Sequence, residues 1–256
     1  MRLHLGALTP ADEALELAVA HALVRRAAEI GGTTVRIRRP AMSAVVFGRR
    51  DTRLPGFPTA ARAVREHGFV PLVRATGGRA VAYDDAALVV DHVSADADPR
   101  PGHDRRFRQF GARMAQVFQG LGVDARLGAV PGEYCPGAFS VNARGTVKLV
   151  GTSQRIVKDA WLFSSLVVVG GEDRLRPVLA DVYAHLGQPF DRASVGSLTG
   201  ELPSLDAGIV ERALIADYQA DGNLVPQSLD EPTLALAHRL SSEHRIPAAA
   251  AKPGDC

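Results

Sequence analysis

The sequence is poor in the residues that most often announce a function. Two cysteines occur in 256 residues, Cys135 and Cys256. Their spacing makes no zinc-knuckle pattern. The opening stretch, MRLHLGALTPADEALELAVAHAL, lacks a basic segment followed by an uninterrupted apolar one, so no signal peptide is read and the expected location is cytoplasmic. Disulfides are disfavoured there. A Cys135–Cys256 bridge and a structural zinc site therefore fall, which leaves Cys135 as either core filler or nucleophile. Lysine is almost absent: only Lys148, Lys158 and Lys252 occur beside abundant arginine. Where arginine is the default cation, a lysine kept inside a motif asks for a reason. The eight histidines are scattered, with no H-x-x-x-H pair. His92, in a strand after Asp91, reads as structural, and neither a metal nor a catalytic histidine is expected. No apolar run approaches the ~20 residues of a membrane span. A net charge of +2 gives no footing for nucleic-acid binding. A pI near 8.7 is compatible with an acidic protein partner and decides nothing alone.

What is present is ordinary globular composition, 46% apolar and 23% charged, enough for a substantial core. Residues 11–29 place Leu15, Ala18, Val19, Ala22 and Leu23 on one helical face, with Glu13, Glu16 and Arg26 turned to solvent; the helix starts near Thr9-Pro10 and Gly31-Gly32 ends it. Further helices are expected at 58–67, 103–121, 174–186, 206–219 and 230–243. VRIRRP, MSAVVFG, FVPLVRA, RAVAY, AALVVDHV, AFSVNA, TVKLVG and LFSSLVVV read as strands. FVPLVRA, RAVAY and AALVVDHV are separated by Gly77-Gly78 and Asp84-Asp85, and a hairpin is expected at Arg144-Gly145. Strands in the middle and helices at both ends predict an α+β fold with a mixed, largely antiparallel sheet flanked by helices.

Three stretches could carry chemistry. In VRATGGRAVAYDD (73–85), the paired glycines after a strand either make a plain turn with two surface arginines or expose N–H groups to a carboxylate, phosphate or acyl carbonyl. In GTVKLVGTSQR (145–155), Lys148 lies in an alternating strand, opposite Val141 if Arg144-Gly145 is the turn. It either snorkels from a sheet edge or points into a site. Ser153, Gln154 and Arg155 gather polar groups at the strand end. In GEYCPGAFSVN (132–142), Cys135 sits in a loop rather than in an apolar strand. Continuing the hairpin straight back puts Cys135 roughly 20 Å from the position facing Lys148. A Cys–Lys pair thus requires the loop to double back, which Pro136-Gly137 permits.

Together these stretches resemble the lipoate–protein ligase and octanoyltransferase superfamily, whose catalytic domain is related to biotin protein ligase. VVFGRRD (45–51) is similar to its early Gly-Arg strand, VRATGGRAVAYDD to its Arg-x-x-Gly-Gly acyl-binding segment, and GTVKLVGTSQR to its lysine motif. The resemblance runs from about residue 10 to 200 in the family's order. It implies a single catalytic domain over 1–247 of the biotin/lipoate ligase type, with 248–256 as a frayed tail. GEYCPGAFSVN is similar to the cysteine loop of octanoyl transferases and amidotransferases that work through an acyl-enzyme. The resemblance then implies that Cys135 takes an octanoyl or lipoyl group as a thioester and passes it to a lysine of a lipoyl domain, with Lys148 holding the acyl carbonyl or stabilising the oxyanion. Arg74, Gly77, Gly78, Arg79, Ala80, Tyr83, Asp84, Gly151, Ser153, Gln154 and Arg155 would bind substrate. Val81 and Val147 would wall the acyl tunnel, with Arg74 and Arg155 facing the carrier or a carboxylate rather than acting in catalysis. No cofactor is implied. The expected partners are an acyl-carrier donor (the glycine-cleavage H protein or acyl carrier protein) and lipoyl domains of 2-oxoacid dehydrogenases, with no nucleic acid and no membrane. The alternatives are an ATP-dependent lipoate ligase, using ATP and Mg²⁺ without need of Cys135, and a non-enzymatic acyl- or lipoyl-domain-binding module. Trp161 in AWLFSS departs from the family pattern and is expected to narrow or reshape the pocket.

Overall fold

A computed structural model describes residues 1–9 and 11–247. The expected tail, 248–256, lies outside the described residues, as does Pro10. The chain runs β1 (Arg2–Leu5), α1 (Glu13–Ile30), β2 (Thr33–Arg38), β3 (Ala44–Phe47), α2 (Phe57–Glu66), β4 (Val70–Val73), β5 (Val81–Tyr83), β6 (Ala87–Ala95) and α3 (His103–Gly120). It continues through β7 (Ala125–Leu127), β8 (Val141–Ala143), β9 (Val147–Val157), β10 (Ala160–Val168), α4 (Glu172–His185), α5 (Leu198–Glu201), α6 (Ala207–Ala220), β11 (Val225–Pro226) and α7 (Glu231–Leu240). All eight expected strands and six expected helices are found near their expected places; β1, β7, β11 and α5 are additional.

Eight strands form one sheet in the order β11-β1-β2-β6-β10-β9-β8-β7, and β4-β3-β5 form a second. The large sheet is antiparallel from β2 to β7 and parallel at its β11-β1-β2 edge. The α+β expectation of a largely antiparallel sheet flanked by helices holds, but the strands divide between two sheets. Gly77-Gly78 is accordingly no hairpin turn. β4 and β5 do not pair with each other; both pair with β3, β4 in parallel and β5 antiparallel. The glycine pair is thus released from strand pairing and hangs at the end of the small sheet.

α1 begins on Asp12, whose side chain accepts the Leu15 N–H, and ends at Gly31, whose φ of +69° suits glycine. Glu13 and Glu16 are not solvent-facing as expected: they are 3% and 1% exposed. Each is buried against an arginine of β2, Arg38 for Glu13 and Arg36 for Glu16. Alternation along β2 puts both arginines on the face that α1 covers, so paired charges occupy that interface where apolar contacts were expected. The small sheet packs with α2 and α4 around Phe47, Val64, Leu72 and Val182. α3 and α6 cover the large sheet around Met114, Phe118, Val150 and Leu214.

β8 and β9 form the expected hairpin, with Arg144 and Gly145 at φ +55° and +76° in its turn. A bulge shifts the register by one. Lys148 faces Asn142, while Val141 faces Val150. The expected Lys148–Val141 pairing is therefore wrong by one residue. A one-residue slip moves a side chain to the opposite face of a strand.

Candidate active site

The small sheet meets β9 of the large sheet at the glycine pair. Gly77 N–H donates to the Gln154 carbonyl (3.3 Å), the Ser153 hydroxyl to Thr76 Oγ1 (2.9 Å), and Arg155 Nη1 to the Ala75 carbonyl (2.9 Å). Beneath the loop lies Arg74, 8% exposed. Its guanidinium donates to the carbonyls of Val46 (2.8 Å), Gly77 (2.9 Å) and Arg79 (2.5 Å). This spends Arg74 on shaping the loop rather than on facing a carrier. Gly48 ends β3 without a side chain, and a methyl there would collide with the Gly78 carbonyl.

Cys135 reaches this loop. Its Sγ accepts the Arg79 N–H at 3.1 Å and lies 3.8 Å from Arg74 Nη2. The Arg79 guanidinium is held 3.1 Å from buried Asp51, whose other oxygen accepts the Gly48 N–H. Gly78 sits at φ +97°, and a Cβ there would be 2.8 Å from the sulfur. The cysteine loop does double back. Lys148, 1% exposed, donates from Nζ to the carbonyls of Tyr134 (3.0 Å) and Cys135 (2.9 Å), and lies 3.0 Å from Glu133 Oε2. Two of the three ammonium donors are thus hydrogen-bonded to the cysteine loop, and its charge is paired with Glu133. Glu133 closes the loop on its other side by accepting the Gly137 N–H at 3.1 Å. A third tether comes from α4. The Tyr183 hydroxyl accepts the Cys135 N–H (2.6 Å) and donates to the Ala80 carbonyl (3.0 Å). Burial raises the Tyr183 phenol well above its ordinary range, which keeps it protonated as that donor. So fixed, Cys135 adopts φ +44°, a left-handed conformation that a non-glycine residue holds only under constraint.

Two cavities meet at Cys135. The outer, about 530 Å³, is bordered by Arg49, Gly77, Gly78, Phe107, Phe139 and Gln154, with Lys148 and Ser153 also at its wall. The inner, about 50 Å³, is an apolar slot between Leu17, Val46, Val81, Val89 and Leu166, with Arg74, Tyr83, Gly151 and Ser153 contributing. Both contain Cys135 in their walls.

Most residues singled out from the sequence gather here. Ala80 and Tyr83 are buried beside the slot, with the Tyr83 hydroxyl donating to Glu13 (2.7 Å). Gln154 is tied to the His103 carbonyl (2.9 Å) and to Arg106 (3.0 Å). Asp84 lines neither cavity; it accepts the Ala86 N–H in the β5–β6 turn and faces Arg174 at 3.5 Å. Arg155 borders a separate cavity. Val81 does wall the slot, but Val147 packs against Gly196 on the far side of β9. Trp161 stacks on His92 at 5.1 Å and does not narrow the site. Tyr183, Glu133 and Asp51 were not singled out. Glu133 stands two residues from Cys135 and could have been; nothing local marks Tyr183 or Asp51.

Solved structures and curated relatives can now be set beside this geometry. A lipoate protein ligase described as putative, from T. acidophilum with bound lipoic acid, superposes with a TM-score of 0.75 over 94% of this chain and 95% of that one, at 21% identity. Two curated relatives are each named octanoyl-GcvH:protein N-octanoyltransferase. The one from Geobacillus kaustophilus is 28% identical over 58% of this chain and 52% of its own length. That from Exiguobacterium sp. (strain ATCC BAA-1283 / AT1b) is 35% identical over 44% of this chain and 40% of its own. The chain thus covers about half the length of the curated relatives it matches. Among the described residues no helix is long and apolar enough to cross a membrane. The lipoyl protein ligase A/B catalytic domain pattern matches residues 12–219, from α1 through all three chemical stretches to α6, and this chain belongs to that family.

Proposed function

We propose that this protein transfers an octanoyl or lipoyl group from a carrier protein to a lysine of a lipoyl domain, through a thioester on Cys135, in the cytoplasm. The observation that carries this reading is the placement of the cysteine. A filler thiol needs no left-handed backbone, no three-sided tether and no N–H directed at its sulfur. Cys135 has all of these, and it stands where an open cavity meets a narrow, mainly apolar slot. The names of the curated relatives agree in substrate class and donor.

In the first step Sγ bonds to the acyl carbonyl carbon. The bond from that carbon to the carrier breaks, and the thiol proton leaves on the departing lysine amine, or on the thiol if the donor is a thioester. In the second step the acceptor lysine amine bonds to the same carbon. The C–S bond breaks and a proton returns to sulfur. Two easier displacements replace one difficult exchange. Amide-for-amide exchange is nearly balanced, so neither nucleotide nor metal is assigned a part. Arg79 N–H and the Arg74 guanidinium flank the reacting sulfur. Lys148 is assigned the placing of the cysteine; to meet an oxyanion directly it has to release one of its three partners.

The test is intact-protein mass after mixing with octanoylated GcvH without ATP, with Cys135→Ala alongside. The expected result is an octanoyl adduct, released by hydroxylamine and absent in Cys135→Ala. ATP-dependent labelling of a lipoyl domain that survives Cys135→Ala would replace the transferase by a ligase. Absence of both signals would leave a binding module.

A further inference from the structure

A third cavity, of about 470 Å³, is cationic. It lies between α1, the end of β9 and the turn after β3, and is bordered by His21, Arg25, Arg49, Arg155, Lys158 and Glu243. Three arginines and a lysine therefore face a single carboxylate, and that carboxylate reaches only Arg49, at 3.6 Å. Arg113, by contrast, is answered closely by both Asp217 and Asp221. Among the described residues, Arg25, Arg155 and Lys158 have no acid within ion-pair distance. Two polar atoms in the wall are buried without a partner, Arg155 Nε and His21 Nε2, and His21 is only 2% exposed. The cations also press on one another. Burial and then the charges of Arg49 and Arg25 hold the Arg155 guanidinium below its ordinary range, and burial with Arg155 takes His21 down to about 3. An unanswered cluster of this kind favours an anionic guest.

The cavity neighbours the candidate active site through shared and bonded wall residues. Arg49 borders both, and Arg155 is bonded to Ala75, which lines the outer active-site cavity. We infer that this cavity is the docking seat for acidic side chains of the carrier domain, placed beside the lysine that enters the active-site cavity. The inference rests on the transferase reading for its choice of partner. A protein carboxylate fits better than a nucleic acid because the charge is local. The whole chain carries only +2, which gives little footing for a phosphate backbone.

The experiment uses Arg25→Glu/Lys158→Glu, two exposed residues outside the active-site cavity. Thioester formation from a carrier-free donor, octanoyl-N-acetylcysteamine, is expected to stay within about twofold of the parent, since no protein docks. With octanoylated GcvH the KM is expected to rise about tenfold or more at low salt, and the salt sensitivity of kcat/KM to flatten. An unchanged KM for the carrier overturns the inference. If the parent forms no thioester, the transferase reading has failed separately. Calorimetric titration with GcvH and an unmodified lipoyl domain then decides: a roughly tenfold loss of affinity in the double variant upholds the seat. Equal affinities, or no binding by the parent, overturn it. Polyuridylate binding that the double variant loses, with carrier affinity unmoved, overturns it in favour of a nucleic acid.

Discussion

Replacing Lys148 with methionine keeps the stem and removes the ammonium. In the parent, the side chains of Lys148 and Glu133 are 1% and 0% exposed and 3.0 Å apart. Methionine leaves the Glu133 carboxylate buried with only the Gly137 N–H, and leaves the Tyr134 and Cys135 carbonyls without their donor. Breaking a buried pair from one side costs about 3–5 kcal/mol. A domain of this size loses about 2–4 °C of Tm per kcal/mol, so a fall of roughly 6–20 °C is expected. Adding Glu133→Gln removes the stranded charge and should recover most of that stability. The two readouts then separate. Thermal melts by circular dichroism should show Lys148→Met low and Lys148→Met/Glu133→Gln near the parent. Thioester formation should remain depressed in both, because neither holds the Cys135 carbonyl. A loss below about 1 kcal/mol in the single variant, in the range of an exposed ion pair, would refute the buried-pair argument. Full thioester formation by the double variant would refute the anchoring role.

Gly78→Ala should block the chemistry with little damage to the fold. Its Cβ would stand 2.8 Å from Cys135 Sγ and 2.6 Å from Arg74 Nη2, on a backbone at φ +97°. Intact mass should show no thioester, while the left-handed penalty of about 1–2 kcal/mol leaves the protein folded; a normal adduct would mean the loop moves freely. His92 gives a pH signature. Burial, then the Arg113 charge, takes it from 6.5 down to about 3. The folded state therefore refuses a proton that the unfolded chain accepts, so this contribution is complete above about pH 6.5 and is lost as pH falls toward 3. His92→Phe, which can keep the stack on Trp161, should flatten the acid side of the stability curve by up to about 1.4 kcal/mol per pH unit in denaturant titrations. Parallel curves would show that His92 is not protonated on unfolding in that window.

The parts of this fold legible in the sequence are those encoded by neighbours in the chain. The apolar stripe of α1, the alternation of β6 and the turn at Arg144-Gly145 are local patterns, and they fell within a few residues of the structure. Pairing is not local. Nothing in FVPLVRA or RAVAY says that β3 lies between them, so a glycine pair read as a possible turn proves to be part of a loop tied to β9. Alternation along β9 suggested a partner for Lys148, but a bulge, invisible to periodicity, moved it by one. Glu13 and Glu16 read as solvent-facing because an ion pair with β2 leaves no mark in the helix itself. Cys135, Lys148 and the glycine pair were legible as separate signals. Their assembly was not, since it passes through Tyr183 and Asp51, which reach the site only by tertiary packing.

The burial of Lys148 has a further consequence. On the proposed chemistry, the protein carries a reactive thioester and delivers it to lysine amines, so its own lysines are competing acceptors. The chain has only three, and among the described residues Lys148 is the one at the wall of the reaction cavity. Its nitrogen is turned away into the Tyr134 and Cys135 carbonyls, to which it is hydrogen-bonded, and lies against the Glu133 carboxylate. An amine held in that way offers no lone pair to an acyl carbon. The contacts that fasten the cysteine loop would therefore also guard the protein against acylating itself.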